Sequence, residues 1–176
     1  MSEQQSSEEQ KKREKKLRAW KKQNRKFYAE FGDKHGDFVK RLIKRGIVRL
    51  FQELGYVDGN VISICRGGMT FRDNKLGIRN SFGMVIDDGK IAIFIYVAIE
   101  LETWCVRSHI EALENYRRYI DAKGSDKRCF IGAVAGGVVK DEAAEFAQQN
   151  GLYVIVQSGE AVDIVTPPEG FVAKEW

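Results

Sequence analysis

The chain has 176 residues and a mass of 20.1 kDa, with 43% hydrophobic residues, 31% charged residues and two prolines. Those figures describe a globular chain of one domain, or one domain with an appendage, and exclude wholesale disorder or low complexity. The formal net charge of +4 conceals an asymmetry: residues 1–50 hold sixteen Lys/Arg against seven Asp/Glu (net +9), and the rest hold thirteen against eighteen (net −5).

The first element is a basic helix over about Ser7 to Phe31, rich in Lys, Glu, Gln and Arg and free of Gly and Pro. Leu17, Trp20, Asn24, Phe27 and Phe31 follow one another in steps of 3, 4, 3 and 4 and so share one heptad seam. Asn24 falls where a buried amide fixes register. The seam reads either as a short coiled coil that pairs two chains or as a solvated helix docking its aromatic end on its own domain. Gly32 and Gly36 interrupt it, and a second helix is expected over Asp37 to Leu54, with Gly46 as a kink or break and Gly55 as its stop.

Strand patterns come next. Val61 to Cys65 is short and alternating, and Gly67-Gly68-Met69 breaks it. Gly77 to Ile86 reads as a second strand, Asp87-Asp88-Gly89 as a hairpin turn, and Lys90 to Leu101 as the strongest strand. Alternation places Ile91, Ile93, Ile95, Val97, Ile99 and Leu101 on one face, with Lys90, Ala92, Phe94, Tyr96, Ala98, Glu100 and Glu102 on the other. A helix starting between Trp104 and Ser108 runs to about Ala122, and Ser108 to Glu111 would form a capping box with the late start. Cys129 to Val134 is a continuous apolar strand bounded by Gly136-Gly137. Asp141 to Asn150 is a helix, Leu152 to Gln157 a strand, and Ala161 to Val165 a last short strand before an irregular tail. An antiparallel meander feeding a crossover gives a mixed sheet with helices on both faces.

No apolar run reaches the ~20 residues of a spanning helix, and the opening residues are polar, so a cytoplasmic protein without membrane contact is expected. Cys65, Cys105 and Cys129 are far apart in sequence and read as reduced thiols; with two histidines and no Cys-x-x-Cys, no zinc site is expected.

Four stretches carry a family resemblance: Phe31-Gly-Asp-Lys-His-Gly-Asp-Phe-Val-Lys40, Gly46-Ile-Val-Arg-Leu-Phe-Gln-Glu-Leu-Gly-Tyr56, Gly132-Ala-Val-Ala-Gly136 and Ala147-Gln-Gln-Asn-Gly-Leu-Tyr-Val-Ile-Val-Gln-Ser-Gly159. Together with the element order they resemble the PD-(D/E)XK, or restriction-endonuclease-like, superfamily, and more narrowly an uncharacterised bacterial branch in which a coiled coil precedes the nuclease core. The resemblance implies a basic helical arm over residues 1–31 and a restriction-endonuclease-like α/β domain over residues 32–176. It also implies where catalytic groups belong. Such nucleases hold Mg²⁺ on carboxylates from a helix and two strands, and a lysine orients the attacking water. At the matching positions this chain has Lys40 in place of the helix acid, Ser81-Phe82-Gly83 in place of Glu-Phe-Asp, and Tyr96-Val97-Ala98 in place of Glu-Val-Lys. The hairpin between them keeps its expected length.

Two functions follow. In one, the chain is a catalytically inactive, nuclease-like module without a cofactor, forming a homodimer through the N-terminal seam and holding nucleic acid or a partner protein. In the other, Glu100 and Glu102 are relocated acids of a Mg²⁺-dependent nuclease. Glu111 and Glu114 on the next helix are further acids near that position, and the favoured reading of all four is a solvated carboxylate at a strand or helix end. Arg66, Arg72 and Arg79, with Phe94 and Tyr96, suggest a basic aromatic floor for single-stranded nucleic acid, or ordinary surface arginines. Lys21, Lys22, Arg25 and Lys26 give the arm its polyanion affinity. His109 sits at a helix edge in this reading, with no nucleophile spaced to use it. Gly132 to Gly137 lacks the Gly-Lys-Ser/Thr of a phosphate loop, although amides opening the helix near Asp141 suit an anion.

Overall fold

A computed structural model of the chain describes residues 46–56, 63–65, 69–124, 126–158 and 161–176. Eight strands and three helices lie within them: α1 (Ile47–Glu53), β1 (Ser63–Cys65), β2 (Met69–Asp73), β3 (Ile78–Phe82), β4 (Met84–Asp87), β5 (Ile91–Leu101), α2 (Thr103–Lys123), β6 (Cys129–Val139), α3 (Asp141–Gln149), β7 (Tyr153–Ser158) and β8 (Ala161–Ile164). Six strands form one mixed sheet in the order β1-β4-β5-β6-β7-β8, and β2 and β3 form a separate two-stranded ribbon. The β1–β4, β4–β5 and β7–β8 pairs are antiparallel; β5–β6 and β6–β7 are parallel, joined by the crossover helices α2 and α3.

The sheet is sandwiched because β5 and β6 are apolar on both faces. Phe94, Phe130 and Leu152 face α2 and α3, where they meet Leu113, Tyr116, Ala143 and Ala147. Ile86, Ile93, Ile95, Ile131 and Ile155 face the other way with Ile47 and Phe51 of α1. Phe51 packs edge-on against Tyr153, with ring centroids 6.0 Å apart. Burying a Leu, Ile or Phe side chain stabilises by roughly 1.5–3 kcal/mol, so the two clusters hold the sheet from both sides.

Local signals explain most boundaries. Gly46 has φ 91°, a left-handed conformation open to glycine at little cost, and α1 starts directly after it; residues 37–45 of the expected second helix lie outside the described residues. Asp87 and Asp88 build the β4–β5 turn: Asp87 Oδ1 accepts from Gly89 N–H at 2.8 Å, and Asp88 Oδ1 accepts from the N–H groups of Lys90 and Ile91. Asp141 and Glu142 occupy the first turn of α3, where carboxylates suit the helix dipole.

Several expectations are corrected. The run Gly77 to Ile86 is two strands in different sheets, divided at Gly83, and Met69–Asp73 is a strand that the preceding glycines hid. β6 continues through Gly136-Gly137 to Val139. A side chain at Gly136 would crowd Leu101 and Val139, so that glycine marks a close approach inside the strand. α2 starts at Thr103, which leaves Ser108 inside the helix and rules out the capping box. Leu101 packs with Phe94 on the α2 face, opposite to its expected side.

Candidate functional site

The β4–β5 hairpin sets the centre of the candidate site. Met84 pairs with Ile95, so the next step of the register brings Gly83 opposite Tyr96. A Cβ on Gly83 would lie 3.4 Å from the Ile95 carbonyl oxygen and 3.6 Å from the Val97 nitrogen, ordinary contact distances. Tyr96 and Ala98 are half-buried against the α2-side core. Three positions that the family resemblance singles out therefore lie close together, and none of them offers a carboxylate. Ser81 does not join them: it is exposed on β3, opposite Thr70 of β2.

Beyond Ala98, Glu100 and Glu102 converge on a cation. Lys140 Nζ lies 3.2 Å from Glu100 Oε1 and 2.8 Å from Glu102 Oε1. Trp104 Nε1 donates to Glu102 Oε2 at 2.7 Å, so both Glu102 oxygens are engaged. The Lys140 ammonium, with the Trp104 hydrogen bond, holds the Glu102 carboxyl below the usual carboxylate range, and the two glutamates raise the lysine in turn. Elsewhere Glu114 pairs with Lys174 at 3.5 Å, and Glu111 is exposed on α2. Among the described residues no three His, Cys, Asp or Glu side chains come together as a metal-binding group.

His109 is not at a helix edge. It is 1% exposed, on the face of α2 that packs on β5, with Tyr96 and Phe82 rings each 5.9 Å away. Its Nε2 lies 3.1 Å from the Phe94 carbonyl oxygen, which can only accept, so that nitrogen carries the proton. Burial pushes the imidazole down to about 4, against the opposing effect of hydrogen bonding to the Phe94 and Ala133 backbone. It is a neutral core histidine linking α2 to the sheet.

The expected aromatic floor is not formed, because Phe94 is 1% exposed beneath α2. Arg72 and Arg79 do come together: they are direct cross-strand partners on the β2–β3 ribbon. Arg72 Nε donates to Asn74 Oδ1 at 2.8 Å. Lys40, Arg66, the arm residues Lys21, Lys22, Arg25 and Lys26, and the seam Leu17, Trp20, Asn24, Phe27 and Phe31 all lie outside the described residues.

One feature had no sequence forecast. At the hairpin end of the sheet, Arg128 bridges Asp87 and Asp126, which hold its guanidinium firmly charged. Beside it an open depression of about 650 Å³ is lined by Gly89, Lys90, Tyr116, Ile120, Asp126, Lys127 and Arg128. Asp126 and Arg128 stand just before β6 in sequence, but nothing there ties them to Asp87, for which turn chemistry alone accounted. The first turn of α3 carries two carboxylates, which disfavours the anion site expected there. Cys105 and Cys129 are free thiols, and burial together with nearby Glu175 pushes the Cys129 thiol up to about 11, away from nucleophilic use. No described helix is long and apolar enough to cross a membrane. No family model, curated protein or solved structure matches this chain.

Proposed function

We propose that the chain is a restriction-endonuclease-like module that has lost its metal site, associates with itself through its N-terminal seam, and holds nucleic acid. The observation that carries this reading is the arrangement around the β4–β5 register. The antiparallel β1-β4-β5 meander followed by a parallel β6 supports the fold assignment. Within that assignment Gly83, Tyr96 and Ala98 occupy the places of two metal carboxylates and the lysine. A hard divalent cation needs several oxygen ligands, and these three side chains supply at most one phenolic oxygen.

The alternative, a Mg²⁺ nuclease using Glu100 and Glu102, has to displace Lys140 from between the two acids. Calorimetric titration of the full chain with Mg²⁺ and Mn²⁺, followed by incubation with DNA and RNA, separates the readings. The module reading expects no binding heat and no cleavage above background. Metal-dependent cleavage abolished by E100A or E102A would establish the alternative instead.

Self-association rests on the aromatic seam. Large side chains there bury roughly 2 kcal/mol each when covered, and two-fold pairing is the simplest closed assembly. Sedimentation of wild type should show a dimer, and the W20S/F27S double variant a monomer. A dimer that survives both changes would place the contact in the sheet domain.

A further inference from the structure

We propose that the outer face of the β2–β3 ribbon is a contact surface for duplex DNA, with Arg72 and Arg79 as a paired grip on the phosphodiester backbone. The inference rests on the reading of the module as nucleic-acid-holding and assigns the surface and the form of ligand.

The ribbon has two chemically distinct sides. Phe71, Ile78 and Phe82 point inward and are buried, with Phe71 and Phe82 stacked at 5.6 Å and Phe71 meeting Tyr116 of α2 at 4.9 Å. Asn80 on the same side accepts from Asn115 of α2 at 3.1 Å. The inner side is thus fixed to the domain, and the ribbon is a rigid platform. The outer side presents two cross-strand pairs, Thr70 with Ser81 and Arg72 with Arg79, all four exposed. Lys75 is exposed at the tip, and Asp73, half-buried and on the Phe71 side by alternation, accepts the Lys75 and Leu76 backbone N–H groups at Oδ1. The outer face of the paired strands therefore carries two guanidiniums, two hydroxyls and no acid, with Lys75 at the tip beside them.

Like charges directly opposite one another on an antiparallel pair are destabilising. Nothing in the described residues offsets this one: Arg79 has no ion pair, and Arg72 bonds only to the neutral amide of Asn74. That bond uses Nε and leaves the two terminal nitrogens of the exposed guanidinium uncommitted to it. Paired guanidiniums beside paired hydroxyls are donors only or donor-acceptors of the kind that hold phosphate oxygens. A polyanion laid along the face relieves the repulsion that folding alone leaves in place.

The form of the nucleic acid follows from what the face lacks. Single strands are held by aromatic side chains on which bases stack. The ribbon's phenylalanines are buried beneath it, and its outer pairs are non-aromatic. A two-stranded ribbon does fit the major groove of a B-form duplex, about 12 Å wide, while the deep, narrow groove of A-form RNA excludes it.

The test is fluorescence anisotropy of the full chain with a labelled DNA duplex, its single strand and the matching RNA duplex, each across a salt series. R72E, R79E and the double variant are compared with R118E, the same charge change on the exposed face of α2. The basic arm is common to all of them, so differences between variants isolate the ribbon. The double variant should lose about tenfold or more in duplex affinity at low salt, and the slope of log K against log salt should flatten by about 0.9 for each arginine. R118E should change little. R72E places a glutamate opposite Arg79 and should keep or raise the melting temperature, so lost binding cannot be lost folding. Ribbon variants that behave like R118E, or a single strand bound more tightly than the duplex, would overturn the proposal. Metal-dependent cleavage of the probe would sink the non-catalytic reading while leaving the ribbon assignment intact; an uncut probe bound equally by all variants would do the reverse.

Discussion

Replacing His109 with glutamine should remove a large part of the protein's acid sensitivity. The ring is fully enclosed and neutral, with burial pushing its proton affinity from the ordinary 6.5 down to about 4. The unfolded chain protonates this histidine near pH 6.5, and the native state does not until about pH 4. Between those values the unfolded state binds more protons, so stability rises with pH across the window and falls as pH is lowered through it. At about 1.4 kcal/mol for each pH unit, the loss from pH 6.5 down to about 4 is about 3 kcal/mol. H109Q retains an N–H donor for the Phe94 carbonyl but cannot take up the proton. At pH 7.5 the variant should be less stable than wild type by about 1–2 kcal/mol, from lost ring contacts with Phe82 and Tyr96. Urea unfolding of both proteins at half-unit steps from pH 7.5 to 4 gives the difference directly, and the shared carboxylates cancel. The gap should close and then reverse as pH falls. A gap that stays constant across the window would show that the native state admits the proton, and the enclosed neutral ring would be refuted.

Removing Lys140 as K140M should return the Glu102 carboxyl toward its ordinary titration range, because the ammonium is the largest cause of its depression. Carbon-detected NMR titration reads that midpoint, and an unchanged value would mean Lys140 does not hold the carboxylate. In wild type this depressed group favours folding above its unfolded value, and the contribution is lost as pH falls through the native one. At Gly132 of β6 a methyl group would collide with Leu152 and come within 2.8 Å of Leu113 and 3.1 Å of the Trp176 ring. G132A should therefore destabilise by about 1–3 kcal/mol, visible as a lower melting temperature; an unchanged transition would show that these side chains have room to shift.

The sheet was legible where a pattern had one physical cause. β5 and β6 announce themselves by length and apolarity, and Asp87-Asp88-Gly89 announces a hairpin; its register was not legible, because Asp87 pairs with Ala92 and the turn is wider than those three residues suggest. The ribbon was not legible, because alternation continues from Ile78 through Ile86 and nothing in the pattern says that the chain changes sheets at Gly83. The aromatic floor failed for a related reason. Alternation places Phe94 and Tyr96 on a common face, but only the packing of α2 decides that this face is interior. His109 was misplaced because polarity suggested solvent, whereas one backbone carbonyl suffices to hold a neutral imidazole in the core. Lys140 lies 38 residues from Glu102 in sequence, so their meeting depends on β5 and β6 ending side by side.

Asp87 has a bearing on the order of folding events. One oxygen of its carboxylate closes a turn two residues away, and the other receives Arg128, 41 residues further along the chain. The first contact forms on the timescale of a hairpin, roughly 1–10 μs. The second has to await the crossover through α2 that delivers β6, where Cys129 N–H also donates to the Lys90 carbonyl at 3.1 Å. A single side chain thus serves an early local event and a late distant one. An asparagine there keeps an acceptor for the turn and loses the ion pair, so D87N should leave the folding rate nearly unchanged and speed unfolding. The hairpin corner is in that sense a latch, set early and fastened last.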